Sequence, residues 1–256
     1  MTLLEDMLAA AQAAGEEILR IRTAGFAIRQ KPDASPVTDA DQAAERLLLA
    51  RLARFAPEIP VVAEESATEG EAPVGERFFL VDPLDGTREF VAGRDEFTVN
   101  IALIERSEPV LGAVVAPALG RSFAGDTRSA TAFELRRDGH AALQRLPLRV
   151  RVAPPGRLVA VASRSHGSPR TESWLAVRGI TERVSIGSSL KFCLLAAAEA
   201  DVYPRFGPTM EWDTAAGQAV LVAAGGRVLD PNGGPLAYGK PGFRNTDFIA
   251  TAQPLR

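Results

Sequence analysis

Two aspartates three positions apart, Asp82 and Asp85 in VDPLDGTREFV (residues 81–91), follow directly on the apolar run RFFLV. Carboxylates this close repel one another unless a positive charge stands between them or turn hydrogen bonds absorb them. Pro83 restrains the segment, so both carboxylates and the Leu84 carbonyl can converge on one point. Gly86 allows a backbone conformation that larger residues resist. Oxygen-only ligation from carboxylate, carbonyl and water suits Mg²⁺, which takes few protein ligands and keeps several waters. A hydrogen-bonded turn is the other reading of the same residues.

More acids stand at the ends of apolar elements. Glu64 and Glu65 close IPVVAEES, and Asp213 precedes the apolar helical run Thr214–Gly226. Each can be a ligand, but a solvated glutamate pair and a helix N-cap explain them equally well. Thr87, beside Gly86 at the start of a short helical stretch, can orient a water or cap that helix. Histidine-based metal chemistry has no support. The chain has two histidines, His140 and His166, and no His-Glu-x-x-His motif or Cys/His cluster. GPLAYGKP (234–241) matches the first seven positions of a phosphate-binding loop, but Pro241 stands where Ser or Thr should be and no helix-forming run follows. Basic groups gather in the second half: Arg164 and His166 in SRSH, Ser188 and Lys191 in GSSLKF, Arg205 in YPRFGP. They suit an anionic substrate, or else surface ion pairs.

The elements that must position these groups read as follows. An amphipathic helix carries Leu4, Leu8, Ala11, Ile18 and Ile21 on one face, with Thr2 as its cap. After the loop KPDASPVTDAD a second helix runs from Thr38 or Asp39 to about Phe55, with Leu47, Leu48, Leu52 and Phe55 inward. IPVVAEES begins as a short strand, RFFLVDPLDGT is a buried strand breaking into a turn, and FTVNIALIE and EPVLGAVVAP pair around a turn at Arg106–Glu108. Strand-like pieces continue to about Arg151. RLVAVA is a further strand, followed by helices around Trp174, over KFCLLAAAEA, and over Thr214–Gly226 with a glycine pair at its end. The pattern predicts two α/β halves, 1–153 and 154–256, divided near Pro154-Pro155-Gly156.

Composition bounds the function. With 256 residues, 46% hydrophobic and 24% charged, the chain reads as globular, and its net charge of −3 argues against nucleic-acid or membrane electrostatics. A single cysteine, Cys193, excludes an internal disulfide and fits a reducing compartment. The opening MTLLEDMLAAAQAAGEEILRIR lacks the order of a secretion signal, and no apolar run is long enough to span a bilayer. The expectation is a cytoplasmic protein, at most peripheral at the inner membrane, and a monomer or homodimer.

EES, VDPLDGT and EWDTAAG, in that order, resemble the lithium-sensitive, Mg²⁺-dependent phosphatase superfamily that includes inositol monophosphatase and fructose-1,6-bisphosphatase. DGTREFVAGRDEFTVNIALIE, SRSH, GSSLKFCLLA and ADVYPRFGPTMEWDTAAG are most similar to its 3'(2'),5'-bisphosphate nucleotidases of the bacterial CysQ type. The resemblance covers nearly the whole chain and implies an α/β (α+β) fold, a layered αβαβα sandwich. It also implies hydrolysis of the 3'-phosphate of adenosine 3',5'-bisphosphate, or of its sulfated form, to recycle a by-product of sulfate assimilation. By the same resemblance Glu64, Asp82, Asp85, Asp213 and the Leu84 carbonyl hold two or three Mg²⁺ ions. Glu64 and Thr87 orient the attacking water, and Asp41 backs up Thr87. Gly86 and Thr87 meet the phosphate, while His166, Ser188, Lys191 and Arg205 hold the nucleotide. The rival readings are an inositol-phosphate phosphatase and a catalytically silent binding protein on the same fold.

Overall fold

The first two helices form where apolar spacing and capping agree. In the computed structural model, which describes residues 2–32, 34–67, 75–137, 143–154, 156–163 and 168–255, helix α1 spans Leu3–Ala24. Thr2 caps it, and the Glu5 side chain returns the bond to the Thr2 N–H. Strands β1 (Ile28–Gln30) and β2 (Pro36–Thr38) pair as an antiparallel arm, and β2 falls within the expected loop KPDASPVTDAD. Helix α2 (Asp39–Phe55) follows, with Thr38 as its cap and Asp41 completing a second capping box. Leu48 and Leu52 are buried, and Leu47 and Phe55 are partly so.

Next come β3 (Val61–Ala63), β4 (Arg77–Asp85), the short helix α3 (Thr87–Val91), β5 (Thr98–Glu105), β6 (Glu108–Ala116), β7 (Arg121–Asp126), β8 (Thr131–Arg136) and β9 (Gln144–Pro147). They are followed by β10 (Val159–Ser163), α4 (Pro169–Val177), β11 (Glu182–Ile186), α5 (Leu190–Ala196), β12 (Val202–Arg205), α6 (Ala215–Ala223), β13 (Arg227–Leu229) and β14 (Phe248–Thr251). Among the described residues, β3 to β9 form a seven-stranded sheet in chain order, antiparallel except for β3 beside β4. The other large sheet has five strands in the order β11-β10-β12-β14-β13, and its three leading strands are parallel.

Strand alternation divides the core into two faces. Phe79 and Val81 of β4, with Val99, Ile101 and Leu103 of β5, pack toward α1 and α2. Phe78, Leu80, Ala102 and Ile104 point the other way, into a layer shared with α5, α6 and the second sheet. Because both faces are buried, these strands read as unbroken apolar runs rather than alternating ones. Helix α4 covers the far side of the second sheet through Leu175, against Ala160 and Val202. The layers are therefore helix, sheet, helix, sheet, helix, the expected αβαβα sandwich. Apart from the β1–β2 arm, the described strands before residue 153 build one sheet and those after 154 the other, a division we propose as two halves sharing the middle layer.

Helix α6 lies unusually near the larger sheet. A Cβ at Gly112 of β6 would stand 2.3 Å from the Ala216 carbonyl oxygen, and one at Gly125 of β7 would stand 2.6 Å from the Val220 Cα. Only residues without a side chain permit that approach.

Asp201 ties the middle helices to the second sheet. Its buried carboxylate takes both arms of Arg151, each at 2.8 Å, and the Val159 N–H at 2.7 Å. Burial alone would raise this carboxyl, but the Arg151 fork and the Val159 N–H outweigh it and hold it below the usual carboxylate range. Its stabilisation is therefore present above the unfolded value of about 4 and fades as pH falls through the lower folded value. Asp201→Ala is expected to cost about 2 kcal/mol, because it leaves the Val159 N–H and a partly exposed guanidinium without their acceptor. Urea unfolding at pH 7 checks this, and at pH 3 the gap between variant and wild type should narrow.

Candidate active site

Strand β4 delivers the aspartate pair, though not by breaking into a turn as its sequence suggests. The ladder with β5 continues through the pair, Asp82 opposite Asn100 and Asp85 opposite Thr98, with a register shift between them. Pro83 and Leu84 form that irregularity, and a proline, which has no N–H to donate, is tolerated there. The reversal comes one residue later, at Gly86, whose φ of 95° is left-handed. Asp82 keeps the parity of Phe78 and Leu80 and faces the middle layer.

Asp82, Asp85 and Asp213 converge with Glu64 and Leu84 on one cleft of about 260 Å³. The same cleft is lined by Gly86, Thr87, Ser188, Lys191 and Arg205. Asp41 stands behind Thr87, and its Oδ1 accepts the Thr87 hydroxyl at 3.0 Å, where the Leu84 carbonyl at 3.1 Å is the alternative acceptor. Asp41 is fixed in turn by the Thr38 N–H at 2.7 Å and the Thr38 hydroxyl at 2.6 Å. His166 and Arg164 lie outside the described residues.

The simpler explanations can now be compared with geometry. Asp213 does not cap α6: its Oδ2 accepts the N–H of Met210, upstream of the helix, at 2.8 Å. That helix begins at Ala215 and closes before Gly225, somewhat inside the expected Thr214–Gly226. Thr87 is not a cap either, since Gly86 occupies that position. Asp82 does make turn chemistry, accepting the Leu84 N–H at 3.0 Å. Glu64 and Glu65 are not a solvated pair. Lys31, at the end of the β1–β2 arm, bridges them with 2.7 Å contacts to each.

Electrostatics sets the three aspartates apart. Burial, then repulsion from Glu64, Asp85 and Asp213, pushes the Asp82 carboxyl well above its ordinary value. Asp213 is raised in the same way, by burial and then by Asp85 and Glu64. Asp85 is pushed up to about 6 by burial, against the pull of Lys191 and the Ser189 N–H, which meets its Oδ2 at 2.5 Å. Lys191, buried beside the Tyr203 ring with its ammonium on the Ser188 carbonyl, is lowered to about 8 by burial despite Asp85. Glu65 rises to about 7, mainly through burial.

The donor set fits a hard divalent cation. Four carboxylates and a carbonyl supply only oxygen, and among the described residues no cationic side chain pairs with Asp82 or Asp213, so bound positive charge would relieve their repulsion. They line the cleft without being drawn into a closed cage, and no three such side chains meet as one among the described residues. Backbone N–H groups and Lys31 hold them apart.

Ser188 occupies the left-handed region at φ 52°, a conformation that costs a non-glycine residue about 1 kcal/mol. That local twist accompanies the Ser189 N–H contact to Asp85 and the Ser188 carbonyl contact to Lys191. Arg205 donates to the Pro208 carbonyl at 2.9 Å, while its buried Nε has no hydrogen-bond partner among the described residues. Several residues of the site carry no role in the sequence reading. Ser189 donates to Asn100 at 2.6 Å and meets Thr98 at 2.9 Å, both on β5, and Glu45 accepts the Glu65 N–H at 2.8 Å. Asn100, a lone amide in an apolar strand, is the one signal that could have found them. Lys31, in a polar loop, offers none.

Comparison with known proteins adds the following. A model of the inositol monophosphatase family matches residues 2–253. The 3'(2'),5'-bisphosphate nucleotidase CysQ of Salmonella typhimurium is 43% identical over 255 residues, covering 96% of this chain and 100% of the relative. Its counterpart from Escherichia coli K12 is 41% identical over 251 residues, 94% of this chain and 98% of the relative. Among solved structures, CysQ from Bacteroides thetaiotaomicron superposes with a TM-score of 0.80 at 35% identity, covering 98% of this chain and 99% of that one. No helix among the described residues is long and apolar enough to cross a membrane.

Proposed function

The chain belongs to the inositol monophosphatase family, and from that premise we propose that it is a Mg²⁺-dependent 3'(2'),5'-bisphosphate nucleotidase. It removes the 3'-phosphate of adenosine 3',5'-bisphosphate to leave AMP, and the sulfated nucleotide is the related substrate. The observation that carries the reading is the meeting of two sets of groups in one cleft: four carboxylates, and a basic wall made by the buried Lys191 and the partly buried Arg205. A small polyol phosphate has no use for that wall, whereas a second phosphate does.

Glu64, Asp82, Asp85, Asp213 and the Leu84 carbonyl would hold the metal, in two or three ions. Bound Mg²⁺ neutralises the carboxylates, activates water and polarises the phosphoryl oxygens. The chain itself orients that water. With its proton held on Asp41 Oδ1, the Thr87 hydroxyl oxygen turns a lone pair to the cleft and accepts a hydrogen from the water, and Glu64 accepts the other. Gly86 and Thr87 open α3 and present backbone N–H groups without helical partners to the transferring phosphate. Ser188, Lys191 and Arg205 receive the remainder of the nucleotide, and His166 joins them by its place in the motif. No protein nucleophile is needed, because such transfer rests on positioning and charge neutralisation. Cys193 is buried in α5 with its thiol pushed far up by burial, which makes it a core residue.

The test is phosphate release from adenosine 3',5'-bisphosphate and from inositol 1-phosphate, each with and without Mg²⁺. Strong Mg²⁺-dependent preference for the nucleotide is expected. Preference for the inositol ester would keep the metal site and remove the nucleotide assignment, and no release from either would leave a binding protein. Arg205→Ala should raise KM for the bisphosphate about 10- to 100-fold, the loss of a charge-assisted hydrogen bond of about 1.5–3 kcal/mol. KM for a simple phosphomonoester should stay near wild type, and an equal rise in both would take Arg205 out of recognition.

A further inference from the structure

GPLAYGKP fails as a phosphate loop, yet its residues close on the turn that carries Asp213. Glu211, two residues before Asp213, is fully buried at 0% exposure. Its carboxylate accepts the Gly239 N–H at 2.6 Å, the Lys240 N–H at 3.0 Å and the Lys240 ammonium at 2.6 Å. The same stretch reaches the turn at other points. Tyr238 shares a hydrogen bond of 3.0 Å with Thr214 and donates to Gln218 at 2.9 Å. Asn245 donates to the Met210 carbonyl at 2.7 Å and to the Thr214 hydroxyl at 2.9 Å, and the Glu211 N–H donates to the Phe243 carbonyl at 2.8 Å. Met210 is the residue whose N–H holds Asp213 Oδ2. Both ends of the Met210–Thr214 turn are thus tied to residues 238–245, with Glu211 at the centre.

We propose that Glu211 and its Lys240 clasp are positioning residues for metal binding, holding the turn so that the Asp213 carboxylate enters the cleft already aimed. A buried ion pair is a weak source of stability compared with apolar packing, so its value lies in fixing one geometry. Glu211 does not line the cleft, and no step of the reaction uses it. This inference rests on the reading of Asp213 as a metal ligand. It assigns to GPLAYGKP the job of holding a ligand's support, where its sequence imitates a site that grips phosphate directly.

The test is a calorimetric titration of substrate-free protein with Mg²⁺. Partners that orient a ligand from behind are worth about 10- to 100-fold in metal affinity, and Glu211→Gln should weaken Mg²⁺ by about that factor. Lys240→Ala should weaken it in the same direction, and Lys240→Arg should restore it. Under turnover, kcat of Glu211→Gln should recover at high Mg²⁺, with nucleotide KM unchanged at saturation. Folded Glu211→Gln with wild-type Mg²⁺ affinity overturns the clasp. If that variant does not fold, Lys240→Ala decides alone, since the Lys240 side chain is partly exposed, and unchanged affinity there overturns it equally. Wild-type protein with no Mg²⁺ binding removes the ligand reading of Asp213 as well, so the two failures are distinguishable.

Discussion

Asp82→Asn is expected to cut Mg²⁺-dependent phosphate release about a thousandfold and, in the presence of a chelator at pH 8, to raise the melting temperature. Asp82 is buried, and Glu64, Asp85 and Asp213 repel its charge. An acid whose folded value lies above its unfolded value costs stability as pH rises through the interval between them, and the full cost persists above it. Below about pH 4, where the unfolded carboxyl is also protonated, the cost vanishes. Asparagine has the same shape and can still accept the Leu84 N–H through its carbonyl oxygen, so it removes the charge while retaining the turn bond. Each kcal/mol is worth about 2–4 °C at this size, and a gain of several degrees is expected at pH 8, shrinking toward pH 4. Mg²⁺ at 100 times its dissociation constant adds about 2.7 kcal/mol to the wild type and should reverse the order of the two proteins. A chelated variant that melts below wild type at pH 8 would mean that the carboxylates are not in conflict. Turnover should fall about a thousandfold, as expected when about 4 kcal/mol of charge stabilisation is removed.

Thr87→Val should lower kcat by about 10²- to 10⁴-fold, the range for loss of a positioned acid–base group, with KM within about threefold of wild type. Valine matches threonine in shape and leaves the backbone of α3 intact, so only the hydroxyl is lost. Thr87→Ser should retain most activity. The sharper variant is Asp41→Asn. Its amide nitrogen would donate toward the Thr87 oxygen and drive the hydroxyl proton to its second acceptor, the Leu84 carbonyl 3.1 Å away. The lone pair that faced the water is then spent, and kcat should fall although Thr87 remains. Asp41→Asn with wild-type kcat would leave Asp41 with its structural role at the start of α2 and nothing more.

Much of the frame was legible because local signals agree with tertiary packing. Thr2 and Thr38 sit where cap and apolar periodicity coincide, and α1 and α2 follow the sequence reading almost to the residue. The reading of KFCLLAAAEA as helix throughout went too far. Alanine-rich sequence favours helix, but α5 stops at Ala196, Ala198 turns to φ 61°, and the Asp201 N–H joins Val159. Non-local pairing outweighs propensity there. The same cause hid the continuation of β4 through Asp85, since its partners on β5 lie more than ten residues on. β7 was not singled out among the strand-like pieces, because RSFAGD is short and carries charge at both ends. The acids and the basic wall could be seen as types in the right places, whereas Lys31 and Glu211 gain meaning only from groups distant in sequence.

The near contact of α6 with β6 and β7 makes two remote positions part of the proposed active site in hereditary terms. A single methyl at residue 112 or 125 has no line of sight to the cleft, yet it must lift the helix that begins two residues after Asp213. Variants there would look like catalytic lesions in a screen for activity, with weakened metal dependence as their phenotype. A survey that ranks positions by distance from the substrate would pass over both.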